Sequence, residues 1–567
     1  MNQPKKERFK TSVGGQALME GIMMRGPKLI CCAVRKPDGT IETKTEPTPT
    51  HGIWTKIPLV RGAISMIESL IMGYRYMMYS AQVSMGDDYD PEEEETAFEK
   101  WVGEHLGKKA EDALLACAAV LGGLLTLLAR PRSHKFFSRE GYIIVALAWV
   151  LLSAVGALPF WFSREIPSYA DAFFETVSGF TTTGASILTD VEAMSHGLLF
   201  WRSFTHWVGG MGVLVFTMAV LPVSDGRAMH LMRAESPGPS VGKISSKIRD
   251  TAKILYAMYL VLTVVQTILL RLVGLPWYDA LITAFGAAGT GGFSNRAASI
   301  GAYGSPAVEM ITAVFMVLFG INFNVYFFLL IRHFKEAFAC EEMRVYLGVI
   351  AASTLAVAGN IFHLYGNVWQ SLRYSFFQVA SIITTTGYAT TDFNMWPTFS
   401  KAVLVLLMFF GACAGSTGGG IKISRIIIMC KTAKQDLMRV LHPHAVTTVR
   451  FEGKPLDDKT VFGVRTYMNL YLIIFVLSTM VVAINQFDLV TTFTAVASCL
   501  NNIGPGLELV GPMVSFADFS PLIKLVLSFD MLVGRLEIFP MLVLFAPSTW
   551  LRSKGHLDRR LRARNLF

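Results

Sequence analysis

Apolar stretches of about eighteen residues or more recur along this chain, and they constrain it more than any other feature, because such a segment can cross the ~30 Å hydrocarbon core of a bilayer as a helix. Hydropathy predicts spans at about 112–129, 141–162, 197–222, 252–275, 306–331, 343–365, 398–430 (interrupted), 464–485 and 521–546. The 567 residues are 52% apolar and only 16% charged, far from the mix of a soluble domain. A soluble enzyme, a disordered chain, a collagen-like fibre and a small disulfide scaffold are excluded, and the expected class is an all-α integral membrane protein. The opening MNQPKKERFK is basic, but polar Gly-rich sequence follows it, so no cleaved signal peptide is expected. Cys31, Cys32, Cys117, Cys340, Cys413, Cys430 and Cys499 lack the spacing of a zinc site.

Four shorter segments, about 170–184, 277–292, 369–387 and 489–504, lie between alternate spans and end in Gly-rich sequence. Each suits a half-helix that enters the membrane and turns back, and non-helical backbone at that depth must be buried in protein or line a water-filled path. Their ends read SGFTTTGA, GAAGTGGF, SIITTTGY and SCLNNIGPG, and they align on Gly184, Gly292, Gly387 and Gly504. Six residues earlier stands a small residue (Ser178, Gly286, Ser381, Ser498), and eleven earlier a large apolar one (Phe173, Leu281, Phe376, Phe493). The predicted unit is span, re-entrant half-helix, loop, span, repeated four times around one pore.

The net charge of +9 follows the same plan. The connectors 130–140, 223–251, 332–344 and 431–463 and the tail 547–567 hold 24 Lys and Arg together. The loops on the glycine side hold only Arg164 and Arg296, against Glu165, Asp190, Glu192, Asp392, Glu508 and Asp518. The connectors are therefore cytoplasmic, the half-helices open outward, and the acidic outer side attracts cations. This distribution speaks against nucleic acid as a partner; the surroundings are membrane lipid.

Four half-helices followed by extended glycine-containing backbone can present a ring of carbonyls, which replaces the hydration shell of a cation such as potassium, whereas anion pores need donors or cationic rings. The stretches 178–184, 286–292, 381–387 and 498–504 contain no Lys or Arg. A glycine helix cap explains one copy of Thr-Thr-Thr-Gly, but not four in register. The span 398–430 carries five glycines within 411–420, which should unwind it into a deformable gate, the alternative being small residues at a close helix crossing. Ile421 stands where a phosphate-binding P-loop requires Lys. Arg535, near the middle of 521–546, is too deep to snorkel comfortably and can donate to carbonyls freed at 415–420 (Gly415, Ser416, Thr417, Gly418, Gly419 and Gly420).

Residues from about 130 to 550 resemble TrkH-type potassium-translocating subunits of the Trk/Ktr/HKT superfamily. The resemblance rests on DAFFETVSGFTTTGAS (171–186), HWVGGMGVLVF (206–216), TGGFS (290–294), TTTGY (384–388), AGSTGGGIK (414–422), NNIGPG (501–506) and GRLEIFP (534–540). It implies potassium ligands at the carbonyls of Thr182 and Thr183, Thr290 and Gly291, Thr385 and Thr386, and Asn502 and Ile503. These are backed by Gly184, Gly292, Gly387 and Gly504, and the fourth loop is the most divergent. The resemblance also implies an intramembrane loop and Arg535 as the gate, a homodimer, and a cytoplasmic nucleotide-binding regulatory subunit of the TrkA or KtrA kind. Potassium is then substrate, no cofactor is implied, and the location is the bacterial cytoplasmic (inner) membrane. The expected function is potassium uptake, as a gated channel or an ion-coupled symporter, with sodium conduction as the alternative within transport.

Residues 11 to about 105, with TSVGGQALMEGIMMRGPK (11–28) and VRKPDGTIETK (34–44), resemble the start of an uncharacterised YqhQ-like bacterial membrane-protein family. An extended segment with a turn at Pro37-Asp38-Gly39, a mixed helix and an acidic run Asp87 to Glu95 are read there. Arg61, Glu68 and Arg75 share one face of 57–80, which suits an interfacial amphipathic helix. If 130–140 is cytoplasmic, a spanning 112–129 puts residues 1–111 outside unless 57–80 also inserts. A natural fusion, a truncated gene joined by rearrangement and a misread frame are all compatible with this arrangement. The expected organisation is an N-terminal segment 1–111, a span and connector 112–140, and pore repeats 141–222, 252–331, 343–430 and 464–546. A basic tail, 547–567, completes it. A non-transporting membrane enzyme or scaffold led by the N-terminal segment is the rival class, although 1–111 contains no combination of nucleophile, base and orienter. His442 and His444 read as solvent-exposed.

Overall fold

The computed structural model describes residues 14–18, 21–25, 29–36, 40–47, 138–212, 248–443 and 448–547. The span 112–129, the helix 57–80, the acidic run 87–95, the turn 37–39, His444, the tail beyond 547 and most of the connectors 130–140 and 223–251 lie outside them. The chain divides into two compact units, 1–135 and 136–567.

In the first unit, β1 (Gly14–Leu18), β2 (Gly21–Arg25), β3 (Leu29–Arg35) and β4 (Ile41–Pro47) form an antiparallel meander in sequential order. Along β3 the alternation is that of a strand with one covered face, since Ile30, Cys32 and Val34 are buried while Leu29, Cys31 and Arg35 are exposed. The extended segment read from the sequence is thus a sheet, whereas the described residues of the second unit are mostly helical.

The second unit repeats one plan four times. Repeat 1 has α1 (Ser138–Gly156) continued by α2 (Leu158–Phe162), the half-helix α3 (Tyr169–Phe180) and a second helix α4 (His196–Gly210). Repeat 2 has α5 (Ile248–Leu272), half-helix α6 (Trp277–Gly289) and second helix α7 (Pro306–Phe319), which is followed by α8 (Phe323–Leu330) and the connector helix α9 (Phe334–Ala339). Repeat 3 has α10 (Glu341–Tyr365), half-helix α11 (Val368–Ile383) and second helix α12 (Thr398–Met408), then α13 (Ile423–Leu441) and a short hairpin of β5 (Arg450–Phe451) and β6 (Lys454–Pro455). Repeat 4 has α14 (Asp458–Val482), half-helix α15 (Leu489–Leu500) and second helix α16 (Pro521–Arg535), then α17 (Phe539–Phe545).

The first helices are long enough to span, and their exposed faces are apolar (Leu147, Leu151 and Val155 on α1; Leu472, Val476 and Met480 on α14), as contact with lipid requires. The half-helices have 12, 13, 16 and 12 residues, too short to cross the core at ~1.5 Å per residue. Three begin on side-chain caps that satisfy otherwise unpaired N–H groups: Ser168, Asn367 and Asp488 accept from the backbones of Asp171, Trp369 and Thr491, respectively.

Every second helix stops part-way through. The sequence predicted continuous spans at 197–222, 306–331 and 521–546, and the structure corrects this. Helix α4 ends at Gly210, and α7 and α8 meet at a 91° bend across Gly320–Asn322. A break at 536–538, where Glu537 and Ile538 adopt positive φ, separates α16 from α17. Hydropathy averages over these breaks because apolar residues flank them on both sides.

The ring of repeats closes by one rule: each half-helix packs on the second helix of the preceding repeat, α3 on α16, α6 on α4, α11 on α7 and α15 on α12. Polar clamps cross each seam. Lys524 pairs with Asp171 at 2.7 Å, Arg373 with Glu309 at 3.0 Å and Lys401 with Glu508 at 3.8 Å, and Arg202 donates to the Ser294 carbonyl at 3.0 Å. Arg202 also bonds the buried Glu175 at 2.6 Å and lies 3.4 Å from the Phe293 ring centroid. Removing one partner of such a pair strands a buried charge, at a cost of about 3–5 kcal/mol. Arg202→Ala should therefore lower the melting temperature of the detergent-solubilised protein sharply. Arg202→Met combined with Glu175→Gln should recover most of that loss.

Candidate functional site

The four half-helices end in one backbone motif. The N–H of the residue two before each glycine (Thr182, Thr290, Thr385, Asn502) donates to the carbonyl three residues back, on Gly179, Ala287, Ile382 and Cys499, at 3.0–3.2 Å. The next N–H (Thr183, Gly291, Thr386, Ile503) reaches five back, to Ser178, Gly286, Ser381 and Ser498, at 2.9 Å each. This is the Schellman pattern of helix termination. Its left-handed position is filled by Thr or Asn at φ 56–59° and not by glycine. Left-handed backbone in a β-branched residue costs about 1–3 kcal/mol and marks functional sites where it persists.

After the left-handed residue φ turns negative, then positive again at Gly184, Gly292, Gly387 and Gly504 (83°, 73°, 81° and 100°). Such alternation turns successive carbonyls toward one side of the strand. The glycines also close a ring, because each lies against the carbonyl of the next loop. A Cβ on Gly184 would stand 2.1 Å from the Gly291 oxygen, and one on Gly292 would stand 2.0 Å from that of Thr386. On Gly387 it would stand 2.1 Å from the Ile503 oxygen, and on Gly504 2.8 Å from that of Thr183. The structure thus brings together Thr182, Thr183, Gly184, Thr290, Gly291, Gly292, Thr385, Thr386, Gly387, Asn502, Ile503 and Gly504.

The carbonyl oxygens at the two positions before each glycine, eight in all, accept no hydrogen bond from the described residues, although all eight residues are buried. Buried carbonyls are nearly always paired. A set of eight without donors among the described residues, at the negative ends of four helix dipoles, can replace the hydration water of a cation. Hydroxyl pairs brace the first and third loops, Thr181 with Thr183 at 2.8 Å and Thr384 with Thr386 at 2.7 Å. In the fourth loop the Asn502 amide donates to the Thr183 hydroxyl and to the Met531 carbonyl, both at 2.9 Å.

Beneath this ring runs the unwound loop 409–422. Its glycines permit contact closer than any side chain allows: a Cβ on Gly419 would meet the Asn501 oxygen at 2.8 Å, and Gly411 donates to the Ile421 carbonyl at 2.8 Å. The Thr417 hydroxyl and the Cys413 N–H bond the carbonyls of Phe319 and Gly320, which the bend after α7 exposes. Arg535 donates to the Thr417 carbonyl at 2.8 Å and to the Gly209 and Gly210 carbonyls at 2.6 Å each, and its Nη1 lies 3.2 Å from the Thr182 hydroxyl. The arginine and the loop predicted as its partner therefore meet.

Sequence reasoning missed several residues here. Thr182 and Thr385 were singled out for their carbonyls, yet their hydroxyls touch the floor as well, Thr385 accepting from the Gly419 N–H at 2.7 Å. The wholly buried Lys422 donates to the Gly418 carbonyl, and Arg425 pairs with Glu537. A lysine in the middle of a span carried the same signal as Arg535. His206, buried with its ring 4.1 Å from that of Phe293, backs Gly291. His442 is exposed at the end of α13.

Four half-helices converging on a carbonyl ring, within four pseudo-repeats of membrane helices, define a cation pore protein. The family model described as a cation transport protein, TrkH, matches residues 108–357 and 366–554. The Trk system potassium uptake proteins TrkH of Salmonella typhimurium and Escherichia coli K12 are each 38% identical over 441 residues, covering 76% of this chain and 90% of theirs. The crystal structure of the potassium transporter TrkH from Vibrio parahaemolyticus matches with a TM-score of 0.69 at 33% identity, over 80% of this chain and 95% of that one. The chain belongs to the TrkH family. A model for a protein family of unknown function, DUF1385, matches residues 57–154, in keeping with the YqhQ-like resemblance of the N-terminal segment.

Thr385→Val strands the Gly419 N–H, and a buried donor without an acceptor costs about 1–3 kcal/mol. A lowered melting temperature in Thr385→Val, restored in Thr385→Ser, would check this contact.

Proposed function

We propose that this chain takes up potassium across the bacterial cytoplasmic membrane through the ring of loop carbonyls. The observation that carries the reading is the set of eight buried carbonyls without donors. A cation entering from the acidic outer side gives up hydration water to Thr182, Thr183, Thr290, Gly291, Thr385, Thr386, Asn502 and Ile503, whose oxygens are held before it arrives. The four glycines allow the loops to approach closely enough for neighbouring carbonyls to serve one ion. The relatives named as potassium uptake proteins support potassium over sodium, and the family's transport role supports a transporter over an enzyme or scaffold.

Below the ring, Gly415–Gly420 and Arg535 act as the gate. A guanidinium fixed under the filter repels cations, and its hold on the Thr417 carbonyl keeps the loop across the path. Movement of the loop out of the path opens it, whether transport is passive or coupled to another ion. The functional assembly in this proposal is a homodimer carrying a cytoplasmic nucleotide-binding regulatory subunit. Residues 1–111 form a separate N-terminal segment in this scheme.

Uptake by the full chain in proteoliposomes, potassium against sodium, tests the filter. Potassium-selective flux is expected, and Gly387→Ser should abolish the selectivity, since its side chain would collide with the Ile503 carbonyl and impose positive φ on serine. Equal sodium and potassium flux in the unaltered protein would refute potassium selectivity. For the gate, Arg535→Ala should raise basal flux with selectivity intact, and unchanged flux would sink the gating role.

A further inference from the structure

A buried carboxylate joins the two ends of the gate loop. Glu342, in the first turn of α10 and 2% exposed, accepts through one oxygen, Oε1, from the Ala414 N–H at 2.8 Å and from the Ser424 N–H at 2.9 Å. Ala414 precedes the Gly415–Gly420 stretch, and Ser424 lies in the first turn of α13 just after it. One acceptor therefore pins both feet of the loop, and bonds to a charged acceptor are the stronger kind.

The helix that carries Glu342 is held from the cytoplasmic side in turn. No side chain of its own N-cap residue, Cys340, caps α10. A residue 110 positions away does so: Glu452, at the tip of the β5–β6 hairpin, accepts through Oε1 from the Glu342 N–H at 3.3 Å and from the Cys340 thiol at 3.4 Å. A carboxylate at a helix N-terminus is favoured by the helix dipole. The hairpin turn, Glu452-Gly453, has positive φ at both residues (51° and 73°), the geometry of a tight two-residue turn that aims the Glu452 side chain. Lys431 of α13 fastens the same corner, 2.5 Å from Glu341 and 2.9 Å from the Arg450 carbonyl. Glu452 itself is exposed, so the chain of contacts runs from the aqueous surface to the gate loop through two carboxylates.

We infer that Glu342 is a positioning residue that clasps the gate loop shut, and that the Arg450–Pro455 hairpin is its cytoplasmic handle, acting through Glu452 on the N-terminus of α10. The inference rests on the reading of Gly415–Gly420 and Arg535 as the gate. A regulator that shifts the hairpin needs no contact with the pore, because drawing Glu452 away uncaps α10 and frees Glu342 to release both feet of the loop.

The test measures basal potassium flux of the full chain in proteoliposomes for Glu342→Ala, Glu342→Gln, Glu452→Ala and Arg535→Ala. Alkylation of Cys340 is followed in parallel by mass spectrometry. Glu342→Ala removes both bonds and should raise basal flux at least tenfold, since the loss of one bond to a charged acceptor already shifts the open population by about that factor. Glu342→Gln, whose amide oxygen still accepts both N–H groups but without the charge, should raise flux by a smaller factor than Glu342→Ala. Glu452→Ala, a surface change that leaves the membrane core intact, should raise flux by a smaller factor. It should also speed alkylation of Cys340, whose thiol is pushed up to about 11 by burial together with the neighbouring Glu452 carboxylate.

Faster alkylation with unchanged flux in Glu452→Ala would overturn the handle. A leaky Arg535→Ala beside a tight Glu342→Ala would overturn the clasp and leave the gate standing. A Gln variant as leaky as the Ala one would overturn the assignment to the Oε1 acceptor. Unchanged flux in every variant, Arg535→Ala included, would remove the gate and this inference together.

Discussion

A buried carbonyl oxygen without a donor is an unstable arrangement that a folded chain normally repairs by a small rotation, and here eight of them are kept from doing so. Each of the four loops is fixed at one end by a helix termination with two backbone bonds and at the other by a glycine pressed on its neighbour's carbonyl. The left-handed threonines and asparagine are strained on their own; the closed ring sustains them, because relaxing one loop would drive its glycine into the next. The seam clamps Lys524–Asp171, Arg373–Glu309, Lys401–Glu508 and Arg202–Ser294 serve the same end from outside, holding each half-helix against the repeat before it.

The breaks in the second helices are the counterpart of the ring. A continuous helix satisfies its own carbonyls and has nothing to offer a neighbour. Ending α4 at Gly210 and bending after α7 frees carbonyls in the middle of the membrane, and these are the groups that receive Arg535, Thr417 and Cys413. The charges at this depth follow one logic. Arg535 lies on carbonyls, Lys422 on Gly418, Arg425 on Glu537 and Glu342 on two N–H groups, so that each is solvated by protein where water is scarce. The stretch Gly415–Gly420 has no apolar side chain and is held by hydrogen bonds, whereas Ala412, Cys413 and Ile421 on either side of it belong to the apolar core.

Much of this was legible in the amino-acid order. The half-helices appeared as short apolar segments with a small residue six before a glycine, and the structure places their helical parts at 169–180, 277–289, 368–383 and 489–500. The glycines themselves, the unwound loop at 411–420 and the isolated Arg535 were each anomalous for a membrane span. The breaks at 320–322 and 536–538 were not legible from hydropathy, and the roles of the Thr182 and Thr385 hydroxyls depended on which backbone lay beneath them. Glu342 was not singled out, for nothing local distinguishes a carboxylate facing water from one enclosing two distant N–H groups.

By itself, then, the sequence determined that the chain is a four-repeat membrane protein whose loops have the backbone freedom and lack the positive charge that a cation filter needs. These are local properties, set by length, hydropathy and the conformational range of glycine, and they hold wherever the segment lies. Only the tertiary structure decided that the glycine of each loop meets the carbonyl of the next, that Arg535 reaches Thr417, and that Glu342 meets both Ala414 and Ser424, 72 and 82 residues further along the chain. Those contacts join residues far apart in sequence and depend on distances of a few tenths of an ångström, which are fixed by the closure of the four repeats into a ring and not by any one repeat alone.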